Sequence, residues 1–143
     1  MTSQAPNGLY AEVQHFYARQ MQMMDRRAFE AFAETFTEDG EFSHSPGQLA
    51  CTRPGIVAEL EDFHKRLYNG PVVRRHWFNM IVVDPQEDGS FLATFYAYVI
   101  NTRPGAEPQM GPVCLVTDVL VRVDGELLNK SRQVRQDRLL LDS

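Results

Sequence analysis

Residues 74–105 read Arg74-Arg-His-Trp-Phe-Asn-Met-Ile-Val-Val-Asp-Pro85, then Gln86-Glu-Asp-Gly89, then Ser90-Phe-Leu-Ala-Thr-Phe-Tyr-Ala-Tyr-Val-Ile-Asn101-Thr-Arg-Pro-Gly105. Both halves are rich in β-branched and aromatic residues, and a Pro-x-x-Asp-Gly cluster divides them, which is the pattern of a long hairpin. Strict alternation along the first strand puts Arg74, His76, Phe78, Met80 and Val82 on one face, and Arg75, Trp77, Asn79, Ile81 and Val83 on the other. Neither face is polar throughout, so both need covering, one by helices and the other by a strand layer or a second subunit. A histidine one residue before a tryptophan, in the middle of such a strand, is the most informative chemical feature of the chain.

Upstream, residues 1–8 read as a disordered lead-in, with Asn7 or Gly8 able to cap the first helix. Leu9, Val13, Phe16, Tyr17, Met21 and Met24 recur at helical spacing, which predicts that helix over 9–24. Phe29, Phe32, Ala33 and Phe36 predict a second over 26–36, with Asp25 placed to cap it and Gly40 to close it in a left-handed conformation. Glu41 to His44 is a short strand candidate, followed by a loop at Ser45-Pro46-Gly47. A third helix is expected from Pro54 to Leu67, buried through Ile56, Leu60, Phe63 and Leu67. On this reading His15 and His64 lie on polar helix sides and His44 is a solvated loop residue.

Downstream, Arg103–Pro108 reads as a turn, and 113–123 as a strand with Val113, Leu115, Thr117, Val119, Val121 and Val123 on one face. Asp124-Gly125 is a hairpin signal, and a last strand runs over 126–136. The order of elements is α+β: three N-terminal helices, then an antiparallel meander whose curvature over the helices encloses a conical pocket. Residues 1–143 read as a single domain.

The 143 residues are 43% hydrophobic with a net charge of −5. That suits one core and argues against nucleic-acid binding, which needs a basic surface. No apolar run reaches the length of a membrane span and no signal pattern opens the chain, so a cytoplasmic protein without membrane contact is expected. Cys51 and Cys114 have no paired spacing and read as free thiols. No compact metal-ligand spacing or cofactor fingerprint is present, so neither a metal nor a cofactor is expected.

In this order of elements the chain resembles the SnoaL-like group within the cone-shaped fold of nuclear transport factor 2, scytalone dehydratase and ketosteroid isomerase. The stretches that carry the resemblance are Met24-Asp-Arg-Arg-Ala-Phe29, Phe36-Thr-Glu-Asp-Gly-Glu-Phe42, Arg75-His-Trp-Phe-Asn79, and Asp118-Val-Leu-Val-Arg-Val-Asp-Gly125 leading to Arg132. Two of them, Arg-His-Trp and Asp-Val-Leu-Val-Arg, particularly resemble small proteins of bacterial aromatic polyketide pathways. Members of that group include cyclases, dehydratases, hydroxylation-associated proteins and proteins with no settled activity, so the fold does not choose among them.

The resemblance implies roles for particular residues. In scytalone dehydratase-like members a strand histidine at the position of His76 works with an acid on the first helical segment, and Asp25 sits at the matching place. Asp25 then holds the imidazole and His76 moves the proton; the other readings are a helix cap and a core histidine. The family often carries a second aspartate where Ala28 stands, and scytalone dehydratase has a second histidine on the following strand. Here that strand offers Tyr96, Tyr98 and Asn101 instead, which leaves one base with tyrosine hydroxyls to polarise a carbonyl. Asp118 and Arg132 form either a structural ion pair across the Asp-Gly turn or a buried carboxylate site like that of the isomerase and cyclase relatives. Tyr17, Phe36, Phe42, Trp77, Phe95 and Tyr96 are candidates to line an aromatic pocket, the other reading being plain core.

The function expected is a cofactor-independent cyclase/dehydratase-type enzyme acting on an aromatic polyketide intermediate, in a homodimer formed through the sheet. The rival is a non-catalytic assembly partner, like the small subunits of ring-hydroxylating enzymes, in which His76 merely packs.

Overall fold

The structure, a computed structural model, describes residues 8–45 and 48–141. The expected Asn7 cap, the residue 1–7 part of the lead-in and the turn at Pro46-Gly47 lie outside the described residues. Helix α1, Leu9–Asp25, buries Leu9, Val13, Tyr17, Met21 and Met24 along one stripe, joined by Gln20, as the 3.6-residue period requires. The chain then turns through Arg27, whose φ is 60°. Helix α2 is only Phe29–Glu34, shorter than the expected 26–36. Its N-cap is Ala28, with no side-chain bond; Asp25 does not cap it, because that carboxylate is engaged elsewhere.

Strand β1, Phe36–Ser45, takes up the residues expected to close the helix. Gly40 is not left-handed; it is glycine because a Cβ would lie 2.9 Å from the Phe36 Cβ and 3.0 Å from the Thr37 carbonyl. Strand β2, Gln48–Cys51, was not evident in the sequence. Helix α3, Arg53–Leu67, is capped by Thr52, whose side chain accepts from the Gly55 N–H, with Pro54 in its first turn. The long strands are β3, Val73–Pro85; β4, Phe91–Thr102; β6, Cys114–Val123; and β7, Glu126–Gln136, with a short β5, Gln109–Met110, on β4 and a final turn α4, Asp137–Leu140.

The sheet order is β2-β1-β7-β6-β4-β3. All pairings are antiparallel except β1 with β7, which is parallel, a departure from the expected all-antiparallel sheet. No hairpin joins those two strands; the chain crosses the whole sheet between them, which leaves their direction free.

The hairpin's strict alternation also fails at one place. Register between β3 and β4 shifts between Asn79 and Val82, and Met80 has φ 57°, so the strand carries a bulge there. Arg74, His76 and Phe78 point to the concave side, and after the bulge so do Ile81 and Val83, while Met80 and Val82 join Arg75, Trp77 and Asn79 outside. Two apolar clusters fill the concave side, one built on α1 with β4 and β6, the other on α2, α3 and β1. Phe78 and Val134 touch both.

Candidate active site

Between the sheet and the ends of α1 and α3 lies a cavity of about 330 Å³, at the small end of the range that holds organic ligands. Met21, Phe42, Leu60, Phe63 and Phe78 give it apolar walls, and His76, His44, Arg74, Asn101 and Arg132 supply the polar groups. A more open groove of about 750 Å³ runs outside, between α1 and β3, and shares His76 with the cavity. The cavity is the better ligand site, because helices and strands enclose it on several sides with apolar side chains.

Asp25 is the last residue of α1, and His76 lies on the inward face of β3. The His76 Nδ1 is 2.6 Å from Asp25 Oδ1, and the His76 backbone N–H lies 3.3 Å from both carboxylate oxygens. Both side chains are largely shielded from solvent. A carboxylate only accepts, so Nδ1 carries the hydrogen and Nε2 is left as the ring's basic atom. No described residue hydrogen-bonds Nε2.

A second imidazole lines the same cavity. His44 Nε2 lies 2.9 Å from Glu59 Oε1, and its ring packs on Phe42 and Phe63. The expectation of a solvated loop residue is therefore corrected: β1 runs on through His44 and brings it against α3. His64 is also buried, not on a polar side. Its Nδ1 lies 2.9 Å from the Leu60 carbonyl. Burial, with Arg74 nearby, pushes His64 down to about 4, so it is neutral at physiological pH.

Asp118 and Arg132 are cross-strand partners joined by two bonds, Arg132 Nε to Oδ1 at 2.9 Å and Nη2 to Oδ2 at 2.8 Å. The carboxylate also accepts from the Tyr17 hydroxyl at 2.7 Å, and Arg132 Nη2 donates to Gln20 at 2.6 Å. Burial alone would weaken the charge on Arg132, but the adjacent Asp118 outweighs it and holds the guanidinium more firmly protonated. Burial and then the Asp118 charge push the Tyr17 phenol well above its ordinary value, so it stays a neutral donor to that carboxylate. This is a closed structural network under the cavity floor, with Arg132 alone of the pair reaching the cavity wall.

Phe42 lines the cavity. Tyr17 does not: it is buried beneath, its hydroxyl committed to Asp118. Trp77 and Tyr96 are on the outer sheet face, 50% and 56% exposed, because strand alternation turns them away from His76 and Phe95. Trp77 stacks there on Tyr98. Cys114 borders the cavity, but burial pushes its thiol up to about 11, which removes it as a nucleophile. Among the described residues no cluster of three or more His, Cys, Asp or Glu is arranged to hold a metal, and no helix is long and apolar enough to cross a membrane.

A curved, unclosed sheet wrapped over helices around such a cavity is the cone fold of the nuclear transport factor 2 class. Within that class the chain belongs to the SnoaL-like domain family, whose sequence model matches residues 9–133. Among solved structures it is 52% identical to ActVI-ORFA from Streptomyces coelicolor over 92% of this chain and 99% of that one, with a TM-score of 0.86. It is 35% identical to Aln2 from a Streptomyces species over 98% and 99%, TM-score 0.91. A Catenulispora acidiphila protein in complex with S-DNPA is 46% identical over 96% and 100%, TM-score 0.88. Comparison with curated proteins finds no match.

Proposed function

We propose that this protein is a cofactor-independent enzyme of the cyclase/dehydratase type, acting in the cytoplasm on an aromatic polyketide intermediate by proton transfer through His76. The carrying observation is the 2.6 Å contact of His76 Nδ1 with Asp25 in the wall of an unfilled, aromatic-lined cavity. A partner protein in which His76 merely packs would not need that hollow. Membership of a family that includes cyclases, dehydratases and isomerases, and the resemblance to ActVI-ORFA and Aln2, support the reaction class. The relative solved with S-DNPA supports a small-molecule ligand.

In this mechanism the neutral imidazole, held by Asp25, takes a proton at Nε2 from a carbon beside a carbonyl. Asp25 stabilises the imidazolium that forms. His44, on β1 and held through Nε2 by Glu59 of α3, delivers a proton from Nδ1 to the departing hydroxyl or to the oxygen of the carbonyl attacked in ring closure. Ring closure or water loss then follows from the substrate's own layout. Trp77, Met80, Val82 and Tyr96 leave the outer face apolar and exposed, and a homodimer through this face covers them.

The test is incubation of the protein with a partly cyclised bicyclic polyketide ketone and mass spectrometry of the products. Conversion by the wild type, abolished in a folded His76→Gln variant, supports the reading. Undiminished conversion by that variant, or none by the wild type over a panel of such ketones, sinks it.

A further inference from the structure

Two arginines are buried among the described residues, Arg74 and Arg132, at 7% and 4% exposure. They differ in one respect. Arg132 is neutralised by Asp118, whereas no carboxylate among the described residues pairs with Arg74. The Arg74 guanidinium stacks on the Tyr68 ring at 3.5 Å and donates through Nη1 to Asn101 Oδ1 at 2.7 Å. Its Nε is buried without any hydrogen-bond partner. Asp25 draws on its charge from a distance, but that carboxylate is already bound to His76. A guanidinium does not escape burial by losing its proton, so the charge persists in the wall of the cavity.

The groups that touch it carry no charge, and the charges within electrostatic range are Asp25 and a second cation, Arg27. His64 is held neutral, partly by Arg74 itself; Asn101 is an amide, and Tyr68 presents its ring face. A buried cation that borders a hollow with no carboxylate bound to it and with a free Nε is a site for an anion, and the planar fork of arginine suits a carboxylate. Arg74 and His76 are two apart on the same face of β3, which sets their Cα atoms roughly 7 Å from each other.

We propose that Arg74, braced by Asn101 and Tyr68, is the anchor for a carboxylate on the ligand, so that the substrate is an aromatic acid and not a neutral polycycle. The acid group seats at Arg74 and the reacting carbon lies further along the strand at His76. This assignment rests on the cavity being the ligand site of the proposed reaction. It is read out by binding alone, so charge recognition and proton transfer succeed or fail separately.

The experiment compares 2-naphthoate with its uncharged counterpart, 2-naphthamide, by isothermal titration calorimetry on the full chain at pH 7. The wild type is expected to bind the acid at least tenfold more tightly than the amide. In Arg74→Met, which keeps the bulk and removes the charge, the preference falls to about twofold or less. Arg74→Lys, which keeps the charge without the fork, holds an intermediate preference and covers the case in which the methionine variant fails to fold. Equal binding of the two probes, binding of neither, or a preference that survives in Arg74→Met overturns the assignment, whatever His76→Gln does to turnover.

Discussion

Asp25 holds His76 at two points, the ring Nδ1 and the backbone N–H, across 51 residues of sequence. One carboxylate thereby sets the tautomer of the imidazole and pins the end of α1 to β3. Chemistry and architecture share a single side chain here.

Asp25→Asn is expected to lower kcat by about 10²–10⁴, the range for losing general-base assistance, with KM little changed. Asp25→Ala adds a stability loss of about 1–3 kcal/mol, because the His76 N–H loses its acceptor. Steady-state kinetics and urea titration separate the two effects. A folded Asp25→Asn variant with wild-type kcat would contradict the proposed orienting role.

The Asp118–Arg132 pair is fully buried, so breaking one side strands a charge. Asp118→Ala is expected to cost about 3–5 kcal/mol in chemical denaturation. The double variant Asp118→Leu, Arg132→Met recovers most of that loss. If Asp118→Ala is nearly neutral, the network is not what supports the cavity floor.

His64 gives the fold a pH signature. The unfolded chain takes up a proton at this residue near 6.5, whereas the folded one refuses it until about 4. The unfolded state therefore binds more protons in between, and stability falls as pH drops through that window. His64→Gln, able to keep a bond to the Leu60 carbonyl, is expected to flatten this slope in denaturation curves taken at pH 4.5 and 7.

Met80 sits in a left-handed conformation within a strand. Met80→Val, β-branched at positive φ, is expected to destabilise by about 1–2 kcal/mol, while Met80→Gly is neutral or slightly stabilising. Thermal melts of the two variants check the order.

A dimer through the outer face is checked by placing like charges there. Trp77→Glu with Tyr96→Glu is expected to give a folded monomer in sedimentation velocity at concentrations where the wild type is dimeric. A wild type that sediments as a monomer would remove the dimer from the reading.

Much of the frame was legible in the chain, because long periodic segments announce themselves. The hairpin of β3 and β4, helices α1 and α3, and the Asp124-Gly125 turn, with φ of 52° and 84°, followed from spacing and turn chemistry. The pairing of Asp118 with Arg132 was legible only as two opposite charges on neighbouring strands: counting back across that turn sets Asp118 opposite Ser131, and the register shift between Val119 and Leu120 is what brings Arg132 across. The bulge at Met80 did not, since a one-residue slip leaves no mark in an apolar run. Asp25 was ambiguous because a carboxylate before a helix looks the same whether it caps locally or reaches a distant strand. His64 was misplaced despite an available signal: it lies four residues after Leu60 and eight after Ile56, on the buried stripe itself. Tyr96 and Trp77 were misassigned by counting aromatic character without asking which way the pleat turned them.

The irregularity at Met80 also divides the hairpin into two functional cassettes. Before it, Arg74, His76 and Phe78 face the cavity; after it, Ile81 and Val83 belong to the apolar interior. A designer seeking new selectivity can therefore exchange 73–79 with its partner stretch 96–102 and leave the far end as a fixed handle.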